Sequence, residues 1–225
     1  MARIKWDETG KRFYTTGVDR VAIYLKNTDS EGYGKAIAFN GVSSIEENPS
    51  GAESTAIYAD NIKYLELVSK EDYGFSMTAY DYPDEFDACD GVATAAPGLK
   101  IGQQTRRRFG IVWRSNIGND TEGNDYGYAY HIAYNCKAGV SAKSHNTIND
   151  SPEATELSWE ITTTDEIIEN YKPSAKLTIY TRELTDEKLK ELEDTLFGSD
   201  DDATDGQLLL PGDLIALLNG TPSNP

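Results

Sequence analysis

Two histidines, two cysteines and 38 carboxylates are the groups with which this 225-residue chain could do chemistry. His131 and His145 stand fourteen residues apart, which is too sparse for a His-rich metal site. Cys89 and Cys136 are too few for a Cys-based zinc site or a disulfide-rich scaffold. No Walker A, GxGxxG, GxSxG or HExxH pattern occurs. His131 shares a strand face with Ala129 and Ala133, which predicts a structural imidazole. Cys136 is expected to end the opposite, aromatic face of that strand as a buried thiol. Carboxylate pairs such as Asp84 with Glu85 or Glu156 with Glu160 suit glycoside hydrolysis in principle. With so many acids, such pairs carry almost no information. The acidic stretches NDTEGND at 119–125 and DDDATD at 200–205 lack the ligand offsets of an EF-hand. The expectation is therefore no catalytic residue, no metal and no cofactor. Sequons at Asn119, Asn149 and Asn219 matter only in a secreted chain, and no signal peptide is read at the start. No apolar run reaches membrane-spanning length.

Charge narrows the partners. The net formal charge is −17, which repels phosphate and anionic membranes at long range. It is unevenly spread. Residues 1–26 carry +3, residues 46–90 carry −10 and residues 183–213 carry −9. Solvation of surface loops is one reading. Self-assembly, with a basic face of one copy meeting an acidic face of the next, is the sharper one. Arg106, Arg107 and Arg108 form the one dense basic cluster and are expected to meet an acidic segment of the same or another copy.

The elements that would position these groups read mostly as β. Period-2 alternation appears at 20–26, 35–45, 62–68, 73–80, 108–114, 127–136, 155–163 and 175–181. In 62–68 the alternation sets Leu65 and Leu67 opposite Ile62 and Tyr64. Gly-, Asn- and Asp-rich joints at 27–34, 48–51, 118–127 and 146–152 imply an antiparallel sandwich or barrel. One helix is predicted at 185–197, with Thr185 as N-cap, Leu189, Leu192 and Leu196 at helical spacing, and Gly198 as stop. It should pack on a sheet. A second short helix is predicted at 83–88. The domain reading is one unit over 1–198, with an acidic linker and an apolar arm over 199–225. That arm has two open destinations, its own sheet or a neighbour.

Several long stretches, in order, resemble one family: ARIKWDETGKRFYTTGVDRV at the start, YADNIKYLEL at 58–67 and YPDEFDACDG at 82–91. IGQQTRRRFG at 101–110, IGNDTEGNDYGY at 117–128 and TINDSPEATELSWEITTT at 147–164 continue the series. The chain resembles the major tail protein, or tail tube protein, of siphophages infecting Gram-positive bacteria. The resemblance covers about residues 2–197.

It implies a non-enzymatic structural virion protein with a β-sandwich core and a flanking helix. Such subunits form hexameric rings that stack into a tube, the conduit for genome ejection. Implied partners are other copies of the chain, a tape-measure protein in the lumen, a tail terminator and distal tail or baseplate proteins. DNA is implied only in transit. The implied location is the phage tail, after synthesis in the host cytoplasm. Glu156, Ser158, Glu160 and Thr162, the polar face of a strand whose other face is core, are the candidate lumen lining. Candidate ring or subunit contacts are Lys5, Lys11, Arg12, Asp84, Glu85, Asp87, Arg106, Arg107 and Arg108, with loops 46–60 and 81–91. The alternative is a non-catalytic β-sandwich binding module, for virion decoration or carbohydrate, with exposed Tyr and Trp stacking on sugars.

Overall fold

The computed structural model describes residues 3–145, 147, 150, 154–199 and 204–220. The sequons at Asn149 and the acidic run at 200–203 lie outside the described residues.

The chain is mainly antiparallel β, arranged in three layers. The middle layer contains β1 (Phe13–Lys26), β2 (Tyr33–Ala38), β11 (Phe109–Asn119), β12 (Gly123–Ala138) and β15 (Lys176–Tyr180). Their spatial order is β2-β1-β11-β12-β15. The second layer contains β3 (Val42–Glu47), β8 (Gly74–Ala79), β14 (Leu157–Thr162) and the short β13 (Ala142–Lys143). Here β14 pairs with β8, β8 with β3, and β13 with β14. The third layer is helical: α2 (Asp186–Phe197) and α3 (Pro211–Asn219).

The middle sheet is buried on both faces, and its sequence shows why. Val21, Ile23, Phe109, Ile111 and Trp113 project into one core, against Phe75, Met77, Trp159 and Ile161 of the second layer. Ala22, Tyr24, Val112, Tyr130, Ile132 and Tyr134 project into the other, against Leu192, Leu196, Leu208 and Leu214. Continuous apolar runs such as VAIYL therefore serve two cores at once. Between the sheets, a 3-10 turn (Asp84–Phe86) and α1 (Asp87–Asp90) insert Phe86. Its ring meets Phe39, Phe109 and Trp159 edge-on at 5.1, 5.3 and 5.4 Å, a favoured aromatic geometry.

Strand β12 belongs to both sheets. Residues 129–133 pair with β15, while Lys137 and Ala138 pair with β14. The switch is a bulge. Ile111 faces Ala133 but Phe109 faces Cys136, so one extra residue sits on β12. Asn135 occupies it with φ +49°. This corrects the expectation for Cys136, which lies in the inter-sheet core with Phe109 and not beside the tyrosines. Asn135 is buried and its groups are engaged. Its backbone N–H donates to Tyr33 Oη at 3.0 Å, and its carbonyl accepts from Arg108 at 2.6 Å. Its side chain accepts from Lys26 Nζ and donates to Glu166 Oε1.

Several boundaries differ from the sequence reading. The single strand expected over 35–45 is two, β2 and β3, because Gly41 turns the chain at φ +81°. Strands β11 and β12 run well into the joint expected at 118–127, with Phe13–Thr16 of β1 as the third strand of this ribbon. The helix at 185–197 forms as α2, capped by Thr185 Oγ1 accepting from the Lys188 N–H at 3.3 Å. The arm after it passes through β16 (Gly198–Ser199) and β17 (Thr204–Asp205), which pair with each other. It then lies along the edge of β2, where the Ala36 N–H donates to the Gly206 carbonyl at 2.8 Å. It ends in α3, which has Pro211 in its first turn and Gly220 in the left-handed conformation at its end. Of the two destinations left open, the described part of the arm takes the chain's own sheet.

Removing the Asn135 side chain leaves Lys26 and Glu166 without their buried partner, which typically costs about 1–3 kcal/mol. Asn135→Ala should therefore lower unfolding stability by about that amount in urea titration.

Candidate assembly surfaces

The groups that could do chemistry are placed as follows. Ser115 Oγ lies 2.7 Å from His131 Nε2, and Thr178 Oγ1 lies 3.3 Å from Nδ1. The ring stacks on Trp113 at 5.2 Å. A hydrolytic triad needs a carboxylate behind the imidazole; here Thr178 occupies that place. Burial holds His131 below its ordinary pKa, with Lys176 acting in the same direction. Burial pushes the Cys89 thiol up to about 12 and the Cys136 thiol higher still. Both are kept as thiols at neutral pH. Among the described residues no group of three or more His, Cys, Asp or Glu is placed to hold a metal ion. In the loop 119–125, Asp120 and Asn119 bind backbone. Asp120 Oδ1 accepts the N–H groups of Gly10 and Arg12 at 3.0 and 3.4 Å, clipping the N-terminal arm to the β11–β12 turn.

The candidate contact residues divide into two groups. Lys5, Lys11 and Arg12 are exposed on the arm; both lysines face Glu8, and Arg12 donates to the Asp7 carbonyl. Glu85 is exposed as well. The others are engaged within the chain. Lys100 bridges Asp84 and the buried Asp87 at 2.8 and 2.6 Å, and its ammonium holds Asp84 below the usual carboxylate range. Arg106 donates to the carbonyls of Ala138 and Gly139 and stands 3.5 Å from the buried Asp90. Arg107 donates to the Lys26 carbonyl, and Arg108 to Asn135 and Thr164. The acidic partner expected for the triplet is therefore met once, at Asp90, and otherwise by carbonyl oxygens and the Thr164 hydroxyl.

Glu156, Ser158, Glu160 and Thr162 share the outer face of the second sheet, opposite the buried Leu157, Trp159 and Ile161. Their neighbours across the ladders extend a polar surface. Ser158 faces Thr78, which faces Ser44; Glu160 faces Ser76, which faces Glu46. Hydroxyls and carboxylates thus cover this face three strands wide. Lys137, opposite Thr162, adds a cation at one end.

A surface of different character projects from the same sheet. Beyond β3 and β8 the chain narrows into a two-stranded arm. It starts as β4 (Ser50–Gly51) paired with β7 (Glu71–Asp72) and continues as β5 (Ser54–Ala59) paired with β6 (Ile62–Val68). Asp60 and Asn61, both at positive φ, make the turn that hairpins favour. Ile57 faces Leu65, but Tyr58 faces Lys63, so a bulge falls at Tyr64. That extra residue shifts the parity, placing Ile62 on the same face as Leu65 and Leu67, contrary to the alternation read from the sequence. One face therefore carries Thr55, Ile57, Ala59, Ile62, Leu65 and Leu67, and the other Ser54, Ala56, Tyr58, Lys63, Glu66 and Val68. The apolar face is open: Ile62 is 63% and Leu67 55% exposed. Strand β5 and the Asp-Asn turn were missed in the sequence; the turn pair was the available signal. A second small hairpin, β9 (Ala93–Ala96) with β10 (Leu99–Ile101), also exposes Leu99 and Ile101.

The chain matches no protein-family model and no curated protein. Among solved structures it aligns with the sheath–tube complex of an extracellular contractile injection system, PVC, in its extended state. The identity is 10%, with 72% of this chain and 88% of that chain covered and a TM-score of 0.32. It also aligns with the tube-terminating cap of the anti-feeding prophage, at 7% identity, 80% and 95% coverage and a TM-score of 0.35. A third is the PVC sheath/tube terminator, at 10% identity, 79% and 99% coverage and a TM-score of 0.33.

The depressed pKa of His131 has a consequence for stability. The folded state keeps the imidazole neutral, while the unfolded chain takes up a proton near pH 6.5. The contribution is fully present above that pH and is lost as pH falls toward the folded-state value. His131→Gln should flatten this part of the stability–pH curve measured by urea unfolding.

Proposed function

We propose that the chain is a non-catalytic structural subunit that assembles with copies of itself into stacked rings, forming the tail tube of a phage. The observation that carries this reading is the β5–β6 arm. A two-stranded hairpin is marginally stable alone in water. This one turns outward an apolar stripe on which, among the described residues, Ile62 and Leu67 stay more than half exposed. Burying each Ile or Leu of that stripe would contribute ~1.5–3 kcal/mol, so association with another copy is the state in which the arm is stable. The sequence resemblance to siphophage tail tube proteins supports the same reading and supplies the ring number of six.

The polar face of β3, β8 and β14 is assigned to the lumen. Glu46, Glu156 and Glu160, interleaved with Ser44, Ser76, Thr78, Ser158 and Thr162, give a surface that hydrates well and repels phosphate. Screening limits this to charges within about 8 Å of the passing DNA at physiological salt. The exposed Lys5, Lys11, Arg12 and Glu85 are assigned to contacts between subunits, with the two hairpins and the N-terminal arm. The tape-measure protein, tail terminator and distal tail proteins are the further partners. DNA passes through without specific binding.

Electron microscopy of the purified protein across concentration and salt tests the reading. Rings or hollow tubes are expected. Ile57→Glu with Leu65→Glu, at exposed positions, should abolish them while leaving the folded subunit intact by circular dichroism. Tubes formed by that variant, or glycan retention by a strictly monomeric wild type, would overturn the proposal. Reversing Lys5, Lys11 and Arg12 to Glu should shorten tubes and weaken their salt dependence. Unchanged length and salt response would remove the arm from the interface.

A further inference from the structure

We propose that Asn40 is a site of spontaneous covalent modification, at which the chain loses ammonia and converts to an isoaspartyl link. The site does not depend on the assembly reading. Two asparagines in this sequence precede a glycine, Asn40 and Asn219. Glycine matters because any larger following residue hinders attack of its backbone nitrogen on the asparagine amide. Asn40 and Gly41 make the crossover from β2 in the middle sheet to β3 in the second, and both are exposed. They line an open groove with Val18, Val21 and Phe197, so water reaches them. The chain is anchored on either side. The Phe39 N–H donates to the Val21 carbonyl at 2.8 Å, and the Tyr80 N–H donates to the Gly41 carbonyl at 2.9 Å. Between these anchors, the Asn40 side chain and the Gly41 N–H make no hydrogen bond among the described residues. Both reacting groups are therefore free.

The second Asn–Gly pair is held differently. The Gly220 N–H donates to the Ala216 and Leu217 carbonyls as the cap of α3, and must give up those bonds before it can attack. At the first pair, the fold retains the residue that makes Asn40 reactive. Gly41 has φ +81°, and an added Cβ would lie 3.3 Å from the Asp81 nitrogen. The reaction balances with water as the one co-reactant. The Gly41 nitrogen bonds to Asn40 Cγ and gives up its proton; the Cγ–Nδ2 bond breaks, ammonia leaves, and a cyclic imide remains. Water then opens the ring. Cleavage at Cγ leaves aspartate. Cleavage at the main-chain carbonyl routes the chain through Cγ and lengthens it by one atom. That atom falls between Phe39, packed edge-on against Phe86 and Trp159, and Val42, which pairs with Ala79 at the start of β3. With both neighbours held, the insertion strains the pairing of β3 with β8.

Peptide mapping by mass spectrometry tests the site on the full chain, incubated at mildly alkaline pH both native and in guanidinium chloride. An isoaspartate-specific methyltransferase identifies the product. In the denatured chain the two Asn–Gly pairs should convert at similar rates. In the native chain Asn40 should convert faster than Asn219 by about fivefold or more, as one hydrogen bond to be broken implies. Equal native rates at the two pairs would overturn the proposal. So would an Asn40 that stays unmodified in the native chain while the denatured chain converts. Aged wild type should also unfold at lower urea concentration than fresh protein. Asn40→Gln, whose longer side chain closes the ring far more slowly, should keep its midpoint through the same incubation. A midpoint that falls equally in wild type and in Asn40→Gln would overturn the link between this site and the hold on β3.

Discussion

Burial of one sheet on both faces is the constraint on which the rest of the structure depends. The middle sheet carries two cores, so its longest strand must serve both and then leave to join the second sheet. The bulge at Asn135 makes this possible by reversing the parity of β12 after Tyr134. Its neighbours read as a clamp: Lys26, Tyr33, Arg108 and Glu166 come from separate stretches of the chain and converge on one residue. With that corner fixed, β14, β8 and β3 lie over the middle sheet, Trp159 and Phe86 fill the space between, and the polar faces of those strands turn outward.

The same geometry separates two kinds of surface. The outer face of the second sheet is a continuous pattern of hydroxyls and carboxylates, backed by a rigid aromatic core. The arm that extends from β3 and β8 contributes no residue to either core among the described residues and exposes Ile57, Ile62, Leu65 and Leu67. Exposed apolar patches of this kind in soluble chains mark interaction sites. One surface is therefore suited to staying free of contacts and the other to making them, as the proposed tube assembly requires.

Much of this was legible in the sequence where a strand is regular. The alternation at 20–26, 73–80, 108–114 and 155–163 coincides with the core faces that Val21, Ile23, Phe75, Met77, Phe109, Ile111, Trp113, Trp159 and Ile161 occupy. The spacing of Leu189, Leu192 and Leu196 together with Thr185 marked α2. It failed where one residue is inserted. Period-2 reading carries no information on bulges, so Cys136 and Ile62 were assigned to the wrong faces, by Asn135 and Tyr64 respectively. The charge of Arg106–Arg108 was legible but its use was not, since carbonyl acceptors leave no mark in composition. The apolar arm after Gly198 was visible as such; its helix was not, although Pro211 and Gly220 bracket it.

The central claim is that the β5–β6 arm is completed by another copy of the chain. Amide hydrogen exchange over residues 54–68 tests this most directly, comparing dilute subunit with assembled protein. The account predicts weak protection in the free subunit, where the hairpin stands alone, and a rise of at least a hundredfold on assembly. Protection that is already high in the free subunit, or unchanged in the assembled form, would contradict it.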